Sequence, residues 1–147
     1  MRNGNAIRPA GAAILALAAQ LYAGGFYLQA GNADSVEAQK ANAVLTVKAV
    51  GCNDPAKTAV TATAEGLVNG ERRTIPLKLS PLSESGSYAL TRQWPKEGRW
   101  VIHLSATSNV GVAEALAVDG PGGMDVTHGT GGHLVFTPSE IDWMLRK

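Results

Sequence analysis

The sequence predicts an all-β fold, an antiparallel β-sandwich of about seven strands followed by a short C-terminal helix. Three observations lead to this prediction. Between residues 43 and 118, apolar residues alternate with polar ones, which is the period of a strand with one buried face. Gly, Pro and Asn interrupt the pattern at intervals of about ten residues, as turns between short strands do. The same stretch has no helical periodicity.

Length and composition limit the classes of function. A chain of 147 residues is enough for one domain. Its net charge of +1 argues against an electrostatic nucleic-acid-binding surface. The single cysteine, Cys52, excludes an internal disulfide and any metal site built from several cysteines of one copy. We expect Cys52 to be a small buried side chain, and the alternative is a cross-link between two copies.

The N-terminal segment is interpreted as an export signal. Arg2 and Arg8 precede an uncharged run rich in Ala and Leu over residues 9–30, an order typical of a secretory signal peptide. Small residues at the −3 and −1 positions permit cleavage after Ala33 or Ala38, and Ala38 is preferred. The alternative is a retained signal-anchor helix, because the run is about as long as the ~20 residues that span a bilayer.

This interpretation sets the domain boundary and the location. Residues 1–38 are assigned to the signal peptide or anchor, and residues 39–147 to the sandwich domain. The domain is expected in the periplasm or outside the cell, attached to the membrane only if the N-terminal segment is retained.

The first strands are predicted over residues 43–50, 58–65 and 72–79. Asn69-Gly70, a strong hairpin dipeptide, separates the second strand from the third. Pro76 points outward from the third strand, and because proline cannot donate a backbone hydrogen bond, we expect that strand at a sheet edge.

The central strands have the clearest pattern. Residues 86–91 place Tyr88 and Leu90 in phase, a turn follows over 94–98, and the next strand covers 100–106. That strand carries large apolar residues at every second position, namely Trp100, Ile102, Leu104 and Ala106. They are predicted to face the core, with His103 on the opposite, solvated face. A further strand is expected over residues 112–118.

The C-terminal residues predict a glycine-rich loop and a helical turn. The loop covers residues 120–132, and the helix 138–146. Thr137 at the N-cap, Pro138 at the first helical position and Glu140 at the third form a capping box. A helix this short is marginal by itself and is expected to dock on the sandwich.

Two strands resemble those of a known group of exported domains. The spacing Gly86-x-Tyr88 followed by Gly98-x-Trp100-Val101-Ile102-x-Leu104 is similar to a strand pair in YtkA-like and FixH-like Ig-like sandwiches. The resemblance implies an Ig-like fold, and it covers packing residues only, so it transfers no active site. FixH-like proteins carry an N-terminal membrane helix and are linked to copper handling during oxidase assembly.

The glycine-rich loop suggests a candidate copper site. Met124, His128 and His133 lie in or beside it, and thioether and imidazole ligands suit copper in an exported protein. The alternative is that the three are unrelated loop residues and Met124 packs against the end of the sandwich. No other cofactor is expected.

A candidate partner-binding surface lies at the turn between the central strands. Arg92, Lys96 and Arg99 are a local basic excess around Trp94. If Trp94 is exposed, the four residues form an aromatic and cationic patch of the kind that carries binding energy. The alternative is that Trp94 caps the end of the sandwich.

No catalytic constellation is recognisable in the sequence. A Gly-x-Ser-x-Gly motif is absent, and the glutamates are spread over separate turns and strands. The predicted function is therefore an exported, non-catalytic binding or assembly module of the cell envelope, whose partner is a protein or another envelope component and not nucleic acid. The alternative is a periplasmic copper-handling protein, and a hydrolytic enzyme ranks third.

Overall fold

The computed structural model of the protein describes residues 25–51, 54–126 and 135–147. Within these ranges a 3-10 turn, Pro55–Lys57, accompanies the strands and helices. In chain order these are β1 Tyr27–Gly31, α1 Val36–Lys40, β2 Ala43–Val50, β3 Ala59–Val68, β4 Glu71–Leu77, β5 Leu79–Pro81, β6 Ser87–Thr91, β7 Arg99–Ser108, β8 Gly111–Gly120, β9 Gly123–Asp125 and α2 Pro138–Arg146.

The strands form two antiparallel sheets, and the prediction of a β-sandwich is confirmed. One sheet has the order β1-β2-β6-β5 and the other the order β4-β3-β7-β8-β9. The third predicted strand is divided at Lys78, where the chain crosses from β4 in one sheet to β5 in the other. Pro76 lies on β4, an edge strand, as expected of a residue without a backbone N–H.

The main core lies between the sheets and is centred on Trp100. The side chains of Trp100, Ile102, Leu104 and Ala106 are fully buried in it, which confirms the predicted face of β7. Gly66, the partner of Trp100 across the β3–β7 ladder, has no room for a side chain. A Cβ atom there would overlap the indole ring, so the large ring at position 100 depends on a glycine at position 66.

A second apolar cluster joins α2 to the outer face of the five-stranded sheet. Ile141 and Leu145 pack there against Val101, Leu116 and Val118. Both faces of β7 are therefore buried near its start. The predicted capping box is present, because Thr137 and Glu140 exchange hydrogen bonds between side chain and backbone. These bonds, the one from the Thr137 backbone first, lower the pKa of Glu140.

His103 differs from its sequence expectation. Its side chain is only 22% exposed, and Nε2 lies 3.2 Å from Oε2 of Glu114 on β8. The same Glu114 oxygen accepts a hydrogen bond of 2.6 Å from the backbone N–H of Phe136, just before α2. The outer face of β7 is thus largely covered, since α2 and the segment leading into it pack on this sheet.

The N-terminal domain boundary also differs from the expectation. β1 pairs along its whole length with β2, from Tyr27 opposite Val50 to Gly31 opposite Thr46. Phe26, Leu28 and Ala30 are buried in the main core, and Ala38 on α1 is fully buried as well.

The folded domain therefore begins at or before Phe26 rather than at Gln39, and cleavage after Ala33 or Ala38 would remove a core strand. Residues 1–24 lie outside the described part of the chain, so the leader itself stays a prediction. Within the described ranges, no helix has the length and apolar character needed to cross a bilayer.

Candidate functional site

Trp94 is a core residue and does not form the exposed patch considered for it. Its side chain is 4% exposed and belongs to the main core. The indole N–H donates a hydrogen bond of 2.8 Å to Oδ2 of Asp119, and the Arg92 guanidinium lies 5.1 Å from the ring centroid. Because Asp119 satisfies its only polar atom, the ring can be buried at the end of the sandwich, and Trp94 is not available to a partner.

Arg92 and Asp119 form a two-pronged ion pair between the sheets. Arg92 follows β6 in one sheet and Asp119 lies near the end of β8 in the other. Nη1 and Nη2 of Arg92 donate hydrogen bonds of 2.6 and 2.9 Å to the two carboxylate oxygens of Asp119. Such parallel bonds are among the strongest that side chains form, and here they fix the position of both groups.

The ion pair shifts the pKa of both partners toward their charged forms. Burial raises the pKa of the Asp119 carboxyl, but the hydrogen bonds from Arg92 and Trp94 and the attraction to Arg92 outweigh burial, and the net shift is downward. The hydrogen bonds to Asp119 raise the pKa of Arg92. Asp119 is therefore an ionised structural anchor at neutral pH.

Asp119→Asn is expected to lower the free energy of unfolding by about 1–2 kcal/mol at pH 7, since it weakens a charged pair that is partly exposed to water. The pKa of Asp119 is lower in the folded protein than in the unfolded chain, where it is about 4. The ionised carboxylate therefore stabilises the fold fully above the pKa of the unfolded chain, and this stabilisation is lost as the pH falls through the pKa of the folded protein. Urea denaturation of both proteins should show a difference in the free energy of unfolding that narrows below about pH 4. A difference that persists unchanged into strong acid would contradict the ion pair.

The turn over residues 95–98 is fixed by two contacts. The indole N–H of Trp100 donates a hydrogen bond of 2.8 Å to the carbonyl oxygen of Glu97. Gly98 has a φ of 86° and approaches β3 so closely that a Cβ atom would lie 2.8 Å from the Leu67 carbonyl oxygen. The position therefore requires glycine, and the turn carrying Lys96 is held against the core.

Three of the four predicted partner-binding residues line one cleft at this end of the sandwich. The cleft has a volume of about 460 Å³ and is open to solvent. Its lining comprises Arg92, Lys96, Gly98, Arg99, Asp119, Gly120 and Pro121. Arg99 reaches it from the start of β7, and its Nε donates a hydrogen bond of 2.8 Å to the Met144 carbonyl oxygen on α2.

The charges in the cleft are only partly neutralised. The carboxylate of Asp119 balances the charge of Arg92. Within the described residues, the Lys96 side chain forms no ion pair or hydrogen bond, and the Arg99 side chain forms only the bond from its Nε. Two positive charges therefore face the cleft without a carboxylate partner in the described part of the chain.

Asp119 is the site residue that the sequence interpretation missed. The β7–β8 ladder pairs Trp100 with Asp119 and ends at Ser108 opposite Gly111. A hairpin centred on Asn109-Val110 sets this register, so pairing the two strands residue by residue from that turn would have placed Asp119 beside the basic residues.

Of the proposed copper ligands, Met124 alone lies within the described residues. Met124 lies on β9, half-buried, and packs against the main core. His128, His133 and Cys52 lie outside the described ranges. No group of three or more His, Cys, Asp or Glu side chains suited to a metal occurs in the described part. The copper hypothesis stays a prediction.

No protein-family model matches the chain, and neither curated proteins nor solved structures give a significant match. The resemblance to YtkA-like and FixH-like domains accordingly stays a prediction.

Proposed function

We propose that this protein is an exported, non-catalytic binding or assembly module of the cell envelope, and that the cleft lined by Arg92, Lys96 and Arg99 is its binding site. The observation that carries this proposal is the presence of two unpaired cations, Lys96 and Arg99, in one cleft on a fixed frame. The turn contacts and the Arg92–Asp119 pair hold that frame before any ligand arrives, which lowers the entropy cost of binding.

The chemistry of the cleft favours binding over hydrolysis. Asp119 is its only carboxylate among the described residues, and the side chain is held by Arg92 and Trp94. A general base needs a free lone pair and a pKa near the working pH, whereas the pKa of Asp119 is lowered. The cationic groups suit the recognition of a negatively charged partner.

A second cleft, between α1 and the four-stranded sheet, offers a contrast. It has a volume of about 380 Å³, and its charged groups already have partners. Lys48 pairs with Glu84, and Glu37 accepts hydrogen bonds from the backbone N–H and the hydroxyl of Ser83. Binding there would require breaking these contacts, so the cleft at Lys96 and Arg99 is the better candidate.

The strand register also suits a module attached through its N-terminus. Tyr27 at the start of β1 lies opposite Val50 at the end of β2, and Ala43 at the other end of β2 lies opposite Thr91, next to Arg92. The N-terminal side and the cleft are therefore at opposite ends of the sandwich. With a retained anchor the cleft would point away from the membrane, and with a cleaved leader it would be equally accessible.

Capture experiments with charge variants test the proposal. Wild type and Lys96→Glu, each immobilised as the full chain, are exposed to envelope extract from the native host. Lys96 is exposed and has no partner within the described residues, so the substitution should preserve the fold and remove partner recovery. Lys57→Glu is the control at the opposite end of the sandwich, where Lys57 forms an exposed ion pair with Asp54, and it should recover the partner like wild type. Recovery that is equal for all three proteins, or absent from all three, contradicts the proposal.

A further inference from the structure

We propose that the cleft binds a dianionic phosphate group, with the guanidinium of Arg99 and the ammonium of Lys96 as its ligands. This inference rests on the proposed function for the location of the site and adds the chemical class of the ligand.

Arg99 is oriented for an oxyanion before binding. Its Nε donates to the Met144 carbonyl oxygen at 2.8 Å, which fixes one edge of the planar guanidinium. Nη1 and Nη2 have no partner within the described residues, and the side chain lines the cleft. A half-buried guanidinium held on one side and unpaired on the other presents a preformed pair of donors to phosphate oxygens.

The charge balance favours a dianion. Asp119 cancels the charge of Arg92 through two hydrogen bonds, which leaves Lys96 and Arg99 as the unpaired charges of the cleft. Phosphate monoesters carry close to two negative charges at neutral pH, because their second pKa is about 6, and inorganic phosphate is present there partly as the dianion. A monoanionic carboxylate would leave one of the two cations unbalanced.

The shape of the cleft permits a group larger than the phosphate itself. The volume of about 460 Å³ is well above that of one phosphate, and the cleft opens to solvent beside Gly120 and Pro121. Free phosphate and the phosphate of a monoester have the same recognition chemistry here, so the experiment has to separate these two sources.

The test is a titration of the ¹⁵N-labelled full chain, followed by amide chemical shifts at constant ionic strength. Inorganic phosphate should give saturable shifts at Lys96, Gly98, Arg99 and Gly120, with a dissociation constant on the order of 1–10 mM. Acetate, as the monoanion, should bind at least about threefold more weakly, since it engages one cation fewer. Glycerol 3-phosphate binding more tightly than phosphate would identify a monoester as the ligand, and the reverse order would identify free phosphate.

Variants assign the binding to the two cations. Arg99→Gln should weaken phosphate binding about tenfold, because it removes charge-assisted hydrogen bonds. Lys96→Gln should weaken it about threefold, because an exposed ammonium contributes less. Lys57→Gln should leave it unchanged. Arg99→Lys keeps the charge and loses the paired donors, so it should bind phosphate with an affinity between those of wild type and Arg99→Gln. This variant distinguishes the loss of phosphate ligands from a folding defect in Arg99→Gln.

Two results would overturn the phosphate proposal. One is the absence of saturable shifts at the cleft, and the other is equal phosphate affinity in wild type and Arg99→Gln. If either result is obtained while capture from the envelope extract still depends on Lys96, the proposed binding function stands. Only phosphate as the class of ligand is then contradicted. Phosphate binding without any captured partner would instead contradict the proposed function and support the ligand class.

Discussion

Trp100→Ala is expected to lower the free energy of unfolding by about 3–5 kcal/mol, a large part of the roughly 5–15 kcal/mol typical of a domain. Trp100 is fully buried at the centre of the main core, and β3 provides a glycine, Gly66, to make room for its ring. The substitution leaves a large cavity and also removes the hydrogen bond that fixes the turn at Glu97. Urea denaturation monitored by circular dichroism would measure the loss.

The same substitution at an exposed tryptophan is the matched control. Trp143 on α2 is 55% exposed. The Lys147 ammonium lies 3.9 Å from the centroid of the Trp143 ring. Trp143→Ala should cost no more than about 1 kcal/mol, because little buried area is lost. If both substitutions lower the free energy of unfolding equally, or if Trp100→Ala has little effect, the core face of β7 is assigned wrongly.

The close contact between Gly66 and Trp100 adds a test of packing. Gly66→Ala should destabilise the wild type by about 1–3 kcal/mol, because the new methyl group overlaps the indole ring. In the Trp100→Ala background the same change should cost much less, since the ring is gone. Additive losses in this double-mutant cycle would contradict the contact.

A chain that begins at Gln39, as cleavage after Ala38 would produce, is expected not to fold cooperatively. It lacks β1, which pairs with β2 and packs across the sandwich on β8. Phe26 and Leu28 alone contribute about 1.5–3 kcal/mol each through burial, and the loss of the strand also leaves β2 with unpaired backbone groups. A chain that begins at Gly25 is the control and should unfold in one cooperative transition.

The burial of β1 also predicts where a leader would be cleaved in cells. If the leader is cleaved, mass spectrometry should find the mature N-terminus at or before Phe26, because later cleavage removes buried residues of β1. A mature chain that begins at Asp34 or Gln39 and unfolds cooperatively would contradict the place of β1 in the core.

Local signals explain the parts of the fold that sequence reasoning predicted correctly. Asn69 and Gly70 both have positive φ, as a two-residue hairpin turn of this type requires, and the dipeptide alone predicts that turn. The Thr137–Glu140 capping box likewise predicts the start of α2 within four residues of chain. The alternation along β7 identifies its core face, because a strand buries every second side chain.

The remaining features depend on partners that are distant in sequence. β1 has five residues, four of which lie inside the apolar run of residues 9–30, so the sequence alone does not separate it from the predicted leader. Burial of Trp94 requires an acceptor for its N–H, and that acceptor, Asp119, is 25 residues away. The outer face of β7 is covered only because α2 returns to it from the far end of the chain.

Photo-crosslinking in the native host tests the central claim most directly, that the protein binds its partner through the cleft at Lys96 and Arg99. A photoreactive amino acid is placed at position 96 in one full-length protein and at position 57, at the opposite end of the sandwich, in another. We predict one discrete adduct from position 96, reduced when Arg99→Gln is added, and no such adduct from position 57. An adduct from position 57 and none from position 96 would contradict the claim.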